Sequence, residues 1–245
     1  MFNVRLMGAV RLILSTLLSV AVVLPAQGGD QTFQVEVGPA SMRLPVPPGF
    51  VEPSAELPEL RKQREAHLLR SMRLLAFFIP AEDVQLRSVG HIPFPSRELA
   101  VMTPRTTDRE ALRKLYALMM QEPITAAYEA QKKPSEVLSL GINQPTTELD
   151  EAIRRRIMSL EVGATDFLGI FAARRNSTSA MYLLKTSSNS AESMTLSGTL
   201  MSVSHLQTQG TLFQLYVYSP YRSLDDLNWV RKATEDWLSR ADASK

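Results

Sequence analysis

The stretch from Asp166 to Ser219 alternates apolar and polar residues with a period of two, and this pattern constrains the fold more than any other feature. Four segments have it, DFLGIFAAR, AMYLLKT, MTLSGTLMSV and TLFQLYVYS, and each is predicted to form a β-strand. The links between them are short and rich in Ser, Asn and Gly. Consecutive strands are therefore expected to pair antiparallel.

Earlier segments predict further strands. QTFQVEVG and SMRLPV alternate in the same way on either side of Gly38-Pro39. The run RLLAFFI, from Arg73 to Ile79, is apolar after its first residue and ends before Pro80, which is typical of a strand covered on both faces. ELAVMT has the composition of one more short strand.

Four segments have helical periodicity. The first helix is predicted to begin near Leu57 or Pro58, and the second to open at Thr107 or Asp108 and to end at Pro123. A third is predicted over about 147–158, whereas 124–143 has no clear pattern. The fourth follows Ser223 and places four residues on one face, Leu227, Val230, Thr234 and Trp237.

These elements together predict an α+β fold. We expect a mainly antiparallel sheet of about six to eight strands, flanked by three to four helices that include a C-terminal helix. No internal repeat is present. A single domain over residues 29–245 is therefore the simplest organisation.

The segment RLPVPPGFVEPS, residues 43–54, contains four prolines. Proline lacks an N–H donor and favours extended geometry, so the segment is excluded from a central strand, while Gly49 permits a turn. We predict that the segment is a corner that delivers Phe50 into the core between the first strands and the first helix. The alternative is a recognition segment with an exposed ring.

Residues 1–28 have the pattern of a secretory signal peptide, with Arg5 and Arg11, an apolar run and a small-residue site at 26–28. A periplasmic or secreted protein with no membrane span after signal removal is expected. The chain has 27 basic and 25 acidic residues, and the two leader arginines account for the excess. This balance gives no reason to expect nucleic acid as a partner.

Few residues offer catalytic chemistry. The sequence has no cysteine, so disulfides, a thiol nucleophile and a lipid-modified cysteine are excluded. His67, His91 and His205 are the only histidines, and each is expected to be structural. Zinc, nucleophilic-serine and phosphate-loop motifs are absent from the sequence. We therefore nominate no catalytic, cofactor-binding or metal-binding residue, and an enzyme is the less favoured class.

Two groups of side chains are candidates for binding. Arginines bind phosphate and carboxylate groups well, and basic residues cluster at Arg61, Lys62, Arg64, Arg70 and Arg73, and again at Arg154–Arg156, Arg174 and Arg175. Tyrosines gather in YVYSPYR, at Tyr216, Tyr218 and Tyr221, where they suit a pocket or a partner surface. Basic runs and strand tyrosines of this kind usually form a solvated surface, and this interpretation stays open for both groups.

The order of elements, with LPVPPGF after the opening strands and Trp237 in a closing helix, resembles the exported PsbP-like and DcrB-like α/β/α sandwiches. This resemblance covers about residues 32–238 and implies an accessory or binding protein rather than an enzyme. No functional motif of that family is matched, so the resemblance assigns no functional residue.

The sequence therefore predicts a non-catalytic secreted or periplasmic binding or accessory protein of the bacterial envelope. Its partner is expected to be an envelope protein or another envelope component. Two alternatives stay open. One is an envelope hydrolase whose site is assembled from distant carboxylates, serines and a histidine, and the other is a binder of anionic envelope ligands through the arginine runs.

Overall fold

The computed structural model describes residues 31–37, 40–66, 68, 70–88, 96–106, 108–131, 146–189, 194–208 and 211–243. The predicted signal peptide, residues 1–28, lies outside this part of the chain. The described residues form nine strands and five helices, which confirms the α+β class with a mainly antiparallel sheet and a C-terminal helix.

Seven strands make one antiparallel sheet in the order β3-β4-β5-β9-β8-β7-β6, and β1 pairs with β2 in a separate hairpin. The strands are β1 (Thr32–Val37), β2 (Ala40–Pro45), β3 (Phe50–Val51), β4 (Met72–Pro80), β5 (Glu98–Pro104), β6 (Thr165–Arg174), β7 (Ser177–Asn189), β8 (Met194–Thr208) and β9 (Thr211–Pro220). The helices are α1 (Pro58–Ala66), α2 (Ala81–Ser88), α3 (Arg109–Gln131), α4 (Thr146–Ser159) and α5 (Leu224–Ala243). The predicted meander of β6 to β9 is confirmed.

The large sheet is covered on both faces. Leu99 and Val101 of β5 point to one face, where they pack with the β1–β2 hairpin, α4 and α5. Ala100 and Met102 point to the other, where α1, α2 and α3 contribute side chains. Alternate residues of a strand point to opposite faces, so a strand covered on both sides is apolar throughout. The apolar run in β4 follows from this position: residues 76–79 are fully buried.

Two helical features differ from the sequence prediction. The link after Pro80, for which no helix was predicted, is the eight-residue helix α2. The prediction that Pro123 ends the second helix is wrong, since α3 continues to Gln131. A proline inside a helix removes one hydrogen bond but does not have to terminate it. The eight residues that follow include three alanines, which have the highest helix propensity.

The proline segment turns a corner, as predicted. The N–H of Phe50 donates to the carbonyl oxygen of Pro47 at 3.0 Å, and Gly49 has φ of 77°, which favours glycine. The Nε1–H of Trp237 donates to Pro45 O at 2.9 Å, and Arg240 Nη1 donates to Val46 O at 3.0 Å. The C-terminal helix therefore fixes the path of the corner.

The prediction that Phe50 packs against the first helix is wrong, although the ring does pack against the core cluster that contains Val35 and Leu44 of the first strands. Its ring is half-buried and stacks on Trp229 of α5, with ring centroids 6.0 Å apart and an interplanar angle of 15°. The turn at Gly49 aligns Phe50 and Val51 with Pro80 and Ile79 at the end of β4. This pairing directs the ring towards α5 instead of α1.

Candidate functional site

A cleft with a volume of about 470 Å³ lies between β1, α1 and β4. We call it the arginine cleft because three guanidinium groups line it. Its size is in the range of ligand pockets. The lining residues are Phe33, Gln34, Val35, Glu36, Arg61, Glu65, Arg73, Leu74, Leu75 and Arg105.

The cleft follows an unpaired edge of the large sheet. One side of β4 pairs with β5 along residues 72–78. The other side pairs with β3 only at Ile79 and Pro80. No strand of the described chain pairs with that side at residues 72–78. Such an edge presents backbone N–H and C=O groups that can accept another strand.

Two arginines bind backbone carbonyls along this edge. Ser71 O accepts from the N–H of Arg105 at 2.8 Å, so residue 71 faces β5. The next carbonyl, Met72 O, accepts from Arg105 Nε at 2.9 Å. Leu74 O accepts from Arg61 Nη2 at 3.3 Å. Because alternate residues direct their backbone groups to opposite sides of a strand, residues 72 and 74 face the open edge.

The charge of Arg61 is balanced within the protein. Its Nε lies 2.9 Å from Glu65 Oε1 and its Nη1 lies 3.3 Å from Glu52 Oε1. Arg61 also donates to Ser54 Oγ at 3.2 Å. These contacts hold the guanidinium in place, and they leave it little capacity to bind a further anion.

Arg73 and Arg105 differ from Arg61 in how far their charges are balanced. Arg73 Nη2 donates to the backbone oxygen of Glu36 at 2.7 Å. Within the described residues neither Arg73 nor Arg105 has a carboxylate partner. The carboxylate of Glu36, which is exposed at the cleft, is the remaining negative charge in the lining. The three arginines and two glutamates give the cleft a net charge of +1.

The other basic residues predicted near the first helix do not line the cleft. Lys62 Nζ pairs with Glu59 at 2.7 Å on the exposed surface of α1. Arg64 Nη2 pairs with the buried Glu98 at 2.5 Å, and Arg70 is exposed. The structure thus brings Arg61 and Arg73 together with Arg105. No local pattern indicated Arg105, which is isolated in MTPRTT.

Glu98 forms a second charged cluster, beneath α1. Burial raises the pKa of Glu98, and the charge and hydrogen bond of Arg64 oppose that shift. Burial and the nearby Arg64 lower the pKa of Arg87. Among the described residues, Arg64 Nε and Arg87 Nε and Nη2 are buried with no hydrogen-bond partner. The cluster links α1 and α2 to β5.

The later basic run is not assembled into one site. Arg154 pairs with Asp150 at 2.8 Å and Arg156 with Asp166 at 2.7 Å. Arg174 donates to Ser239 Oγ at 3.2 Å. Arg155 and Arg175 are exposed on α4 and on the β6–β7 turn, where they are in reach of solvent.

The three tyrosines that the sequence suggested as a binding group lie on opposite faces of the sheet. Tyr216 and Tyr218 stack with centroids 6.1 Å apart, on the face of α1 and α3. Burial raises the pKa of Tyr218. Tyr221 packs in the opposite core, where its hydroxyl donates to Asp150 at 2.5 Å. They do not form one pocket.

His205 is 3% exposed, and burial lowers its pKa to about 4. Its Nδ1 lies 3.4 Å from Gln214 Nε2, and Tyr216 donates to Gln214 Oε1 at 3.4 Å. No serine hydroxyl or carboxylate in the described residues hydrogen-bonds to this imidazole. His67 and His91 lie outside the described residues.

Neither a metal site nor a membrane helix is found in the part of the chain that the structure describes. No group of three or more His, Asp or Glu side chains there is arranged to hold a metal ion. None of the helices there is both long and apolar enough to cross a membrane.

Comparisons with known proteins identify no family. No protein family matches the sequence, and no curated protein matches it. Among solved structures, the Ran-binding protein Mog1p of Saccharomyces cerevisiae aligns with 88% of this chain and 95% of its own chain. The sequence identity is 10% and the TM-score is 0.35. At that TM-score the alignment does not establish a shared fold.

Proposed function

We propose that this protein is a non-catalytic, exported binding or accessory protein of the bacterial envelope. The arginine cleft is its binding site, and the partner presents carboxylate or phosphate groups there. Export rests on the signal-peptide pattern of residues 1–28. The observation that supports the site is the presence of two cleft arginines without a carboxylate partner in the described chain, Arg73 and Arg105.

The chemistry of the cleft suits an anion with an apolar neighbour. Arg73 and Arg105 each have donors beyond the single hydrogen bond to a carbonyl. Phe33, Val35 and Leu75 supply apolar surface beside them. A charge-assisted hydrogen bond at such a surface is screened less than one in open solvent.

The test measures binding of hexaglutamate to the purified protein by isothermal titration calorimetry. We expect binding that weakens as salt concentration rises. The double variant Arg73→Gln/Arg105→Gln should bind at least about tenfold more weakly, because each lost charge-assisted hydrogen bond contributes roughly 1.5 to 3 kcal/mol. The variant Glu36→Gln should bind more tightly, because it removes the exposed carboxylate at the cleft.

A matched control is Arg155→Gln/Arg175→Gln, which removes the same charge from exposed positions outside the cleft lining. It should bind within about twofold of the wild type, apart from the small effect of net charge. If wild-type protein does not bind hexaglutamate, or if the two double variants lose equal affinity, the cleft is not the binding site.

A further inference from the structure

We infer that the occupant of the arginine cleft is an extended acidic segment of a partner protein, which adds as a strand to the open edge of β4. This inference rests on the proposed function, since it assigns a partner to the same site. It commits to a polypeptide, whereas the proposed function requires only an anion.

Within the described part of the chain, no strand lies beside most of β4 on its outer side. β3 occupies this position only next to Ile79 and Pro80, and the described chain leaves it empty next to residues 72–78. The cleft lies along this position and is lined by Leu74 and Leu75 of β4. A guest strand about 4.8 Å from β4 would continue the sheet in the plane of β3.

The walls of the cleft suit the two faces of such a strand. β1 belongs to the layer that packs with α5, and α1 belongs to the opposite layer. A strand in the plane of the sheet therefore has Phe33 and Val35 of β1 on one face and helix α1 on the other. Recognition by strand addition takes affinity from backbone hydrogen bonds and specificity from contacts of alternate side chains.

The arginines explain why the segment should be acidic. Arg105 now covers Met72 O, and charged side chains at an edge strand oppose unselective pairing. Incoming backbone N–H groups would replace Arg105 at Met72 O and Arg61 at Leu74 O. Arg61 would keep Glu52 and Glu65 as partners, whereas Arg105 would pair with a carboxylate of the guest. Arg73, on the wall of β1, offers a second guanidinium. A neutral segment would release Arg105 without giving it a new partner.

The experiment compares three hexaglutamates of equal charge for binding to wild-type protein by calorimetry. One is unmodified, one carries N-methyl groups on two alternate central residues, and one carries them on two adjacent central residues. Alternate methyl groups block one edge of an extended peptide, whereas adjacent ones block both. We expect the alternate peptide to bind within about threefold of the unmodified one, and the adjacent peptide at least about tenfold more weakly.

Equal affinity of the two methylated peptides would overturn strand addition and leave the proposed function intact. Linear polyphosphate, which has charge but no amide, provides the second arm. Binding of polyphosphate as tight as that of unmodified hexaglutamate would also overturn the inference, since charge alone would then suffice. Failure of every probe to bind wild-type protein would overturn the proposed function as well.

Discussion

Replacement of Trp237 by phenylalanine tests how the C-terminal helix fixes the proline corner. Trp237 is 1% exposed, and its indole N–H donates to the buried Pro45 O at 2.9 Å. Trp237→Phe keeps an aromatic ring but removes the donor. The variant therefore separates the hydrogen bond from most of the apolar contact.

The expected loss of stability has two parts. A buried carbonyl left without its donor costs about 1 to 3 kcal/mol. The smaller ring leaves a partial cavity, which costs roughly 1 kcal/mol by comparison with complete removal of a buried aromatic side chain. We expect the free energy of unfolding to fall by about 2 to 4 kcal/mol, a large part of the stability of a typical domain.

Urea unfolding followed by far-ultraviolet circular dichroism measures this change. The matched control is Trp229→Phe, because the chain has two tryptophans and no hydrogen bond of the Trp229 indole is seen in the described residues. Trp229 stacks on Phe50 and lies 4.2 Å from the guanidinium carbon of Arg97, so we expect a loss of about 1 kcal/mol. A loss for Trp237→Phe no larger than that of the control would refute the importance of the Pro45 hydrogen bond.

Three further outcomes are expected from urea unfolding. Phe50→Ala should cost roughly 1.5 to 3 kcal/mol, less than a fully buried ring, and an unchanged midpoint would contradict its packing on α5. Gly49→Ala should cost about 1 to 2 kcal/mol from backbone strain alone, since an added Cβ meets nothing within 4 Å; a neutral effect would contradict the positive φ. His205 has a pKa of about 4 when folded and 6.5 as a free side chain, so the unfolded chain binds its proton first as pH falls. Wild type should therefore lose roughly 3 kcal/mol more than His205→Gln between pH 6.5 and 4, and identical pH profiles would refute the shift.

The sheet was largely predictable because local pattern and packing agree. The strands β6 to β9 have short links and clear alternation, so pairing with sequence neighbours follows from turn length. The apolar run of β4 indicates a strand covered on both faces. The face of α5 that carries Val230 and Trp237 is buried as its periodicity indicates.

Features that depend on distant contacts were not predictable. The ring of Phe50 meets Trp229 because β3 pairs with the end of β4, and no local pattern encodes that pairing. Pro123 lies inside α3 although its local preference is to end a helix. For Pro123 the local residue preference is overridden by the surrounding structure, whereas for Phe50 no local preference exists.

For the candidate site, the sequence indicated only that basic side chains were involved and not which of them lie together. The basic residues near α1 were one candidate for anion binding, but sequence proximity could not show that Arg64 is paired with Glu98 and Lys62 with Glu59. It also could not show that Arg105 and Arg73 meet at one strand edge. The carboxylate that pairs with Arg64 lies 34 residues away in the sequence, so this ion pair is visible only in the fold.

Amide hydrogen exchange of wild-type protein with and without hexaglutamate tests most directly whether the cleft takes an acidic strand. The backbone groups of Met72 and Leu74 face the open edge, and a guest strand would accept hydrogen bonds from their N–H groups. We expect exchange at these two amides to slow by at least about tenfold in the presence of the peptide, with no change in β6 at the opposite edge of the sheet. Unchanged exchange at Met72 and Leu74 when the peptide is bound, or equal slowing in β6, would contradict strand addition at the arginine cleft.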